Sequence, residues 1–295
     1  MAAVFFAGRR VTTSARRSSQ SCKYLFCSKA FASNCGKIKE VHSLQLLDGT
    51  TLPCESWGGA SRCRLIWGHG LGPQEPWNMN RRTCERFPAV EKSFQLQEGD
   101  EFSLVLYDAR GHGGSTGWEA RADCHNQFHW RNLAIDMLFV ADRHLPQDGR
   151  QGVLLGGYSM GASSALWAAY LSPTSVRGLV LLSVTTAWEI REARRGGLLQ
   201  IANDLEGTHP AAAGVVRGAA FADLPPLEDL TRAKLSMPVL LACARDDSTH
   251  PAAVIERLSR ALPNSQTYIT DTTDELNDMF PALMRSWLCD NFGAE

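Results

Sequence analysis

Five residues, Gly157-Tyr158-Ser159-Met160-Gly161, constrain this chain more than any other stretch, because they join the apolar run Val153-Leu154-Leu155 to the helix-compatible segment Ala162 to Leu171. A strand that turns at once into a helix brings neighbouring backbone too close for side chains, so glycine is needed on both sides of the central residue. Ser159 would then stand at the C-terminal edge of a sheet. The helix N-terminus and the Met160 backbone N–H could stabilise an oxyanion beside it. The pattern marks Ser159 as a candidate nucleophile and Gly157 and Gly161 as the residues that permit its position.

The chain around this turn alternates short β-type runs with longer amphipathic stretches, which predicts an α/β fold: a mostly parallel, doubly wound sheet covered by helices on both faces. Val41–Leu47 and Thr51–Trp57, joined by Asp48-Gly49-Thr50, predict an edge hairpin. Further strands are expected at Leu65–Trp67, Phe102–Tyr107, Gly152–Leu155, Gly178–Val184, Val239–Cys243 and Thr267–Ile269. Helices are expected at Arg81–Phe94, Phe128–His144, Met160–Leu171, Pro251–Leu262 and Asp274–Phe292. The long interval between Val184 and Met237 breaks this rhythm and predicts a small helical cap inserted over about residues 188–234. Within it, Trp188–Leu205 reads as a helix interrupted at Gly196-Gly197, with Trp188, Leu198, Leu199 and Leu205 facing a pocket.

Composition narrows the partners. With 44% hydrophobic and 21% charged residues the chain has the balance of a folded domain, and no apolar stretch approaches the roughly 18 residues of a bilayer-spanning helix. Thirty basic residues against 31 acidic ones exclude a global attraction to nucleic acid or anionic lipid. A small-molecule substrate recognised by a site is expected, with no nucleic-acid partner and no integral membrane segment; nothing in the sequence fixes the oligomeric state. The balance hides an asymmetry: residues 1–39 hold eight basic residues and no acid, which leaves 22 basic against 31 acidic residues, a formal −9, for residues 40–295. Paired arginines with many serines and no acids resemble a transit peptide, so an organellar address, mitochondrion or plastid, is expected, the alternative being a disordered basic tail on a cytoplasmic protein. A chain starting near Lys39 should therefore still unfold cooperatively on heating; loss of that transition would show that the leader packs on the domain. The nine cysteines form no C-x-x-C pair and show no zinc-finger spacing, so reduced thiols and no metal site are expected. His125 and His129 lack an acid between them and read as a solvated helix start.

Two further polar loops follow predicted strands. His69-Gly70-Leu71-Gly72 could aim the Leu71 N–H at the same oxyanion, with His69 and Gly70 shaping the turn, and Asp108-Ala109-Arg110-Gly111-His112-Gly113-Gly114-Ser115 forms a tight polar loop. Together with Gly157–Gly161 and the late Asp246-Asp247, these residues resemble the α/β-hydrolase fold superfamily in their order along residues 41–292. The resemblance implies Ser159 as nucleophile, Leu71 and Met160 as oxyanion donors, no metal or organic cofactor, and an acid after the strand Val239–Cys243. The superfamily's G-x-x-D-x-x-x-P pattern falls on Ala244–Pro251 and implies Asp247, with Asp246 as the fallback. The sequence departs from the family in two respects: Ala244 stands where that pattern has its first glycine, and the loop 270–274, where the general-base histidine usually sits, contains no histidine. Two readings follow. Either His250, three residues after Asp247, is the base from the acid's own loop, giving a serine hydrolase of small ester-like or lactone-like substrates, or the fold binds a ligand without turnover.

Overall fold

Short apolar runs, near-continuous in the central strands and alternating in the edge strand Thr51–Trp57, place the strands, and the computed structural model describes residues 38–58, 63–71, 102–119, 125–145 and 152–293. The helix expected over 81–94, the loop 73–77, which is expected to help shape the pocket, and residues 1–37 of the leader lie outside the described residues. The strands are β1 (Ile38–Gln45), β2 (Thr51–Trp57), β3 (Cys63–Gly68), β4 (Phe102–Tyr107), β5 (Val153–Tyr158), β6 (Val176–Leu182), β7 (Val239–Ala244) and β8 (Ser265–Thr270). The helices are α1 (Trp130–Arg143), α2 (Met160–Leu171), α3 (Trp188–Glu206), α4 (Pro210–Phe221), α5 (Leu227–Ala233), α6 (Ala252–Ala261) and α7 (Thr273–Phe292). One sheet runs in the order β1-β2-β4-β3-β5-β6-β7-β8. The β1–β2 and β2–β4 pairs are antiparallel and every other pair is parallel. Among the described residues no helix is long and apolar enough to cross a membrane.

Each central strand feeds two cores because successive side chains point to opposite faces. Val239, Leu241 and Cys243 of β7 face one core, which also holds Val254, Ile255 and Leu258 of α6 and, further along the sheet, Trp130, Leu133 and Met137 of α1. Leu240, Ala242 and Ala244 pack on the other face against Leu276, Phe280, Met284, Trp287 and Leu288 of α7. All six residues of β7 are therefore buried, as a parallel strand covered on both faces requires. Thr272 caps α7, its hydroxyl accepting from the Glu275 N–H at 3.2 Å.

Three helices occupy the interval after β6, and α3 runs unbroken through Gly196-Gly197. The expected interruption does not occur because neither glycine meets a neighbour within 4 Å and both ends of the helix are held. At one end the Trp188 N–H donates to the Asp223 carboxylate at 2.9 Å; towards the other, Ala202 and Leu205 pack on Ala212, Ala213 and Val216 of α4. Arg191 of α3 joins this cap to the domain. Its guanidinium is buried, donating to the carbonyls of Ala219 and Ala222 and to the Thr186 hydroxyl. It thereby closes the C-terminal turn of α4 over the Trp130 ring.

The edge hairpin is tied to the rest of the sheet by two polar clusters. Arg110 grips Asp136 of α1 through two bonds of 3.0 and 2.8 Å and reaches Asp48 at 2.6 Å and the Thr50 hydroxyl at 3.1 Å. On the other side His144 donates from Nδ1 to the Val140 carbonyl at 2.7 Å, so its Nε2 must accept from His42 Nε2 at 3.0 Å. Burial pushes the His144 imidazole below its ordinary pKa, and burial with the adjacent His69 pushes His112 down to about 3.

A pH dependence follows. A buried imidazole whose folded pKa is depressed leaves the unfolded chain to bind protons first, so its contribution is complete above the free value of 6.5 and is lost as pH falls below it. Burial raises the Asp48 carboxyl, but the Arg110 bond and charge and the Thr50 hydrogen bonds hold it well below 3.8, so its contribution goes only in more acid solution. The urea midpoint should therefore fall between pH 7 and pH 5, with a shallower fall in His144→Gln; equal slopes would show that His144 does not contribute.

Candidate active site

The turn after β5 is built by three glycines in mutual contact. A Cβ on Gly161 would lie 2.0 Å from the Gly68 carbonyl oxygen, and one on Gly157 would lie 2.4 Å from the Gly161 carbonyl carbon. The end of β3, the end of β5 and the start of α2 thus pass each other backbone to backbone. Hydrogen bonds fix the crossing: Ser159 N donates to Leu182 O at 3.1 Å and Gly161 N to His69 O at 3.0 Å. Ser159 itself takes φ 55°, ψ −112°, a conformation that a side-chain-bearing residue holds only when its surroundings impose it.

The loop after β7 brings a histidine to this serine. His250 Nε2 lies 2.9 Å from Ser159 Oγ, and His250 Nδ1 lies 2.6 Å from Asp247 Oδ2. The carboxylate can only accept, so Nδ1 carries the proton and Nε2 presents its lone pair to the serine hydroxyl. Asp247 is oriented in turn because its Oδ1 accepts the backbone N–H groups of Thr249 at 2.9 Å and His250 at 3.2 Å. Burial alone would raise the Asp247 carboxyl. The His250 hydrogen bond and charge and those two backbone donors outweigh it and hold the group below its ordinary range. Ser159 is 7% exposed and His250 5%, which leaves their hydrogen bond little solvent to compete with it.

Asp246, the other candidate acid, turns away and accepts the Thr273 hydroxyl at 2.8 Å. The loop after β8 thus contributes a brace to this region: Arg245 N donates to Thr270 O at 2.9 Å and Asp246 N to Asp271 O at 3.3 Å. His69 is engaged by backbone at both ring nitrogens, Nδ1 donating to Gly70 O at 2.8 Å and Nε2 accepting from Ala109 N at 3.0 Å. That shapes the loop carrying Leu71, and Gly70 lies close enough to the elbow that a Cβ there would be 3.6 Å from Ser159 Cβ. Met160 opens α2, where first-turn N–H groups have no partner within the helix.

The residues expected to face a pocket from α3 divide differently. Leu198 and Leu205 pack in the seam with α4, and the Trp188 indole N–H donates to the Pro225 carbonyl at 3.1 Å. Leu71 instead packs with Trp118, Phe128 and Val215, so α4 and the 3-10 turn His125–Phe128 wall this side. Phe128 is buried, which the reading of a solvated helix start missed. Among the described residues no group of three or more His, Cys, Asp or Glu could hold a metal ion. Two features went unread in the sequence: the Ser163 hydroxyl, which donates to Ser159 O at 3.0 Å and meets Thr185 Oγ1 at 2.8 Å, and Tyr158, whose ring centroid lies 5.2 Å from that of His250.

The family described as alpha/beta hydrolase fold matches residues 84–224. Among solved structures, an esterase from Exiguobacterium antarcticum is similar with a TM-score of 0.64 at 16% identity, over 84% of this chain and 99% of that one. Epoxide hydrolases from metagenomes of hot environments are similar with a TM-score of 0.63 at 16% identity, over 87% and 99%. A thioesterase domain from the curacin biosynthetic pathway gives 0.55 at 16%, over 84% and 97%. No curated protein matches the sequence.

Proposed function

On this alpha/beta hydrolase scaffold, we propose that the chain is a serine hydrolase of small ester-like or lactone-like substrates. The observation that carries the reading is the unbroken chain from Ser159 Oγ through the His250 ring to the Asp247 carboxylate, with spacings of 2.9 and 2.6 Å. A serine hydroxyl is a weak nucleophile until a base takes its proton. As Ser159 Oγ attacks the substrate carbonyl carbon, its proton passes to His250 Nε2, and Asp247 stabilises the imidazolium that forms. The carbonyl oxygen gathers the negative charge, which the N–H groups of Met160 and Leu71 and the α2 N-terminus receive. Collapse breaks the bond to the leaving alkoxide, which takes the proton from His250 and leaves an acyl-serine. Water, deprotonated by the same imidazole, then attacks the acyl carbon and restores Ser159. No step draws on a metal or organic cofactor.

Such a two-step course predicts a burst. With p-nitrophenyl acetate, about one equivalent of p-nitrophenol per chain should appear before slower steady turnover, provided that deacylation limits the rate. Steady release at equal rates in wild type and Ser159→Ala would show that the serine takes no part. A folded wild-type chain with neither burst nor turnover on any activated ester would leave a binding protein without chemistry.

A further inference from the structure

Tyr158 is the variable residue before the serine in the glycine-flanked turn, and it touches both halves of the site. Alternation along β5 puts it on the same face as Leu154, against the core that α7 covers, so its ring stands at the top of that face. From there it meets the His250 imidazole with ring centroids 5.2 Å apart and planes tilted by 55°. It also meets the loop before Leu71: a Cβ on Gly70 would lie 2.8 Å from Tyr158 Cδ1 and 3.0 Å from Cε1. Position 70 can approach only because it lacks a side chain, and the ring fills the space left.

We infer that Tyr158 is a positioning residue, a wedge that sets the His250 ring against Ser159 and holds the Gly70–Leu71 backbone at its distance from the same serine. The role rests on the proposed serine chemistry and on the unusual origin of the base. Asp247 and His250 belong to one short turn, closed by His250 N donating to Asp247 O at 3.2 Å. A hydrogen bond within that turn fixes the imidazole relative to the turn, while its placement over the serine, which comes from another strand, needs a contact from β5. Tyr158 supplies one, immediately beside the serine. An offset or tilted aromatic pair also restrains the imidazole's rotation more than an aliphatic neighbour does.

The test compares Tyr158→Phe, Tyr158→Leu and Tyr158→Ala, each first shown to unfold cooperatively. The Phe variant keeps the ring and should stay near wild type, whereas Leu and Ala should lower kcat for p-nitrophenyl acetate about tenfold or more with little change in KM, because misplacing a reacting group slows the step without loosening the substrate. A second readout does not depend on turnover. In protein with labelled histidine, the low-field Nδ1–H proton signal assigned through its loss in His250→Gln should persist in Tyr158→Phe and broaden in Tyr158→Leu and Tyr158→Ala. An inactive wild type would sink the hydrolase reading and still leave this signal to judge the wedge. Unchanged kcat and an unchanged signal in the Leu and Ala variants would overturn it, as would a Phe variant as impaired as Ala, which would assign the role to the hydroxyl.

Discussion

His250→Ala is expected to lower kcat on an activated ester by roughly a hundredfold or more, the scale of losing a general base. The imidazole is the group within hydrogen-bond reach of the Ser159 hydroxyl, and His69, the other histidine near the elbow, has both ring nitrogens engaged by Gly70 and Ala109 backbone. Ser159→Ala should be at least as severe. The double variant should be no worse than the more damaged single one, because base and nucleophile serve one step. Asp247→Asn should also be severe, up to about 10⁴-fold as at other Ser-His-Asp sites. The two backbone donors at Oδ1 require an oxygen there, so the NH₂ of the introduced amide would face Nδ1. That reverses the tautomer and puts a proton, instead of a lone pair, opposite the serine. Wild-type turnover in His250→Ala would sink the base assignment.

Gly161→Ala should destabilise the fold by about 3 kcal/mol or more, at or beyond the upper end of ordinary overpacking. The added methyl would meet the Gly68 carbonyl at 2.0 Å from oxygen and 2.2 Å from carbon, and neither partner is a side chain that can rotate away. Relief would require β3 and α2 to separate, breaking the Gly161 N to His69 O bond that fixes the elbow. Gly196→Ala is the control. It lies inside α3 with nothing within 4 Å, so alanine there should stabilise by roughly 0.5–1 kcal/mol through its better helix propensity. Urea unfolding of both variants measures the contrast, and equal midpoints would contradict the packing of the elbow.

Much of the frame could be read from the sequence because its signals are local. The strand Val153–Leu155, the glycines at 157 and 161 and the apolar spacing of 162–171 each constrain the backbone within a few residues. Asp48-Gly49-Thr50 likewise encodes the hairpin turn, where Gly49 takes φ +88°. The choice between Asp246 and Asp247 was less legible. In space Thr273, 27 residues further on, bonds the first carboxylate, while the second bonds His250. Tyr158 was invisible because the motif leaves its position open and its partners, Gly70 and His250, lie in two other loops. Leu198 and Leu205 of α3 were misread for a different reason: an apolar stripe shows that a helix has a buried side, and cannot tell a seam with a neighbouring helix from a pocket. Gly196-Gly197 misled in the same way, since local propensity yields to packing at the helix ends.

In the proposed mechanism Ser159 is activated by an imidazole from the acid's own turn. A fluorophosphonate probe addresses it most directly, because phosphonylation requires an activated serine and makes no demand on the natural acyl group. One adduct per wild-type chain is expected, located by mass on the peptide containing Ser159, absent in Ser159→Ala and slowed about a hundredfold or more in His250→Ala. A folded wild-type chain that takes up no probe, or one labelled at another residue, would contradict it.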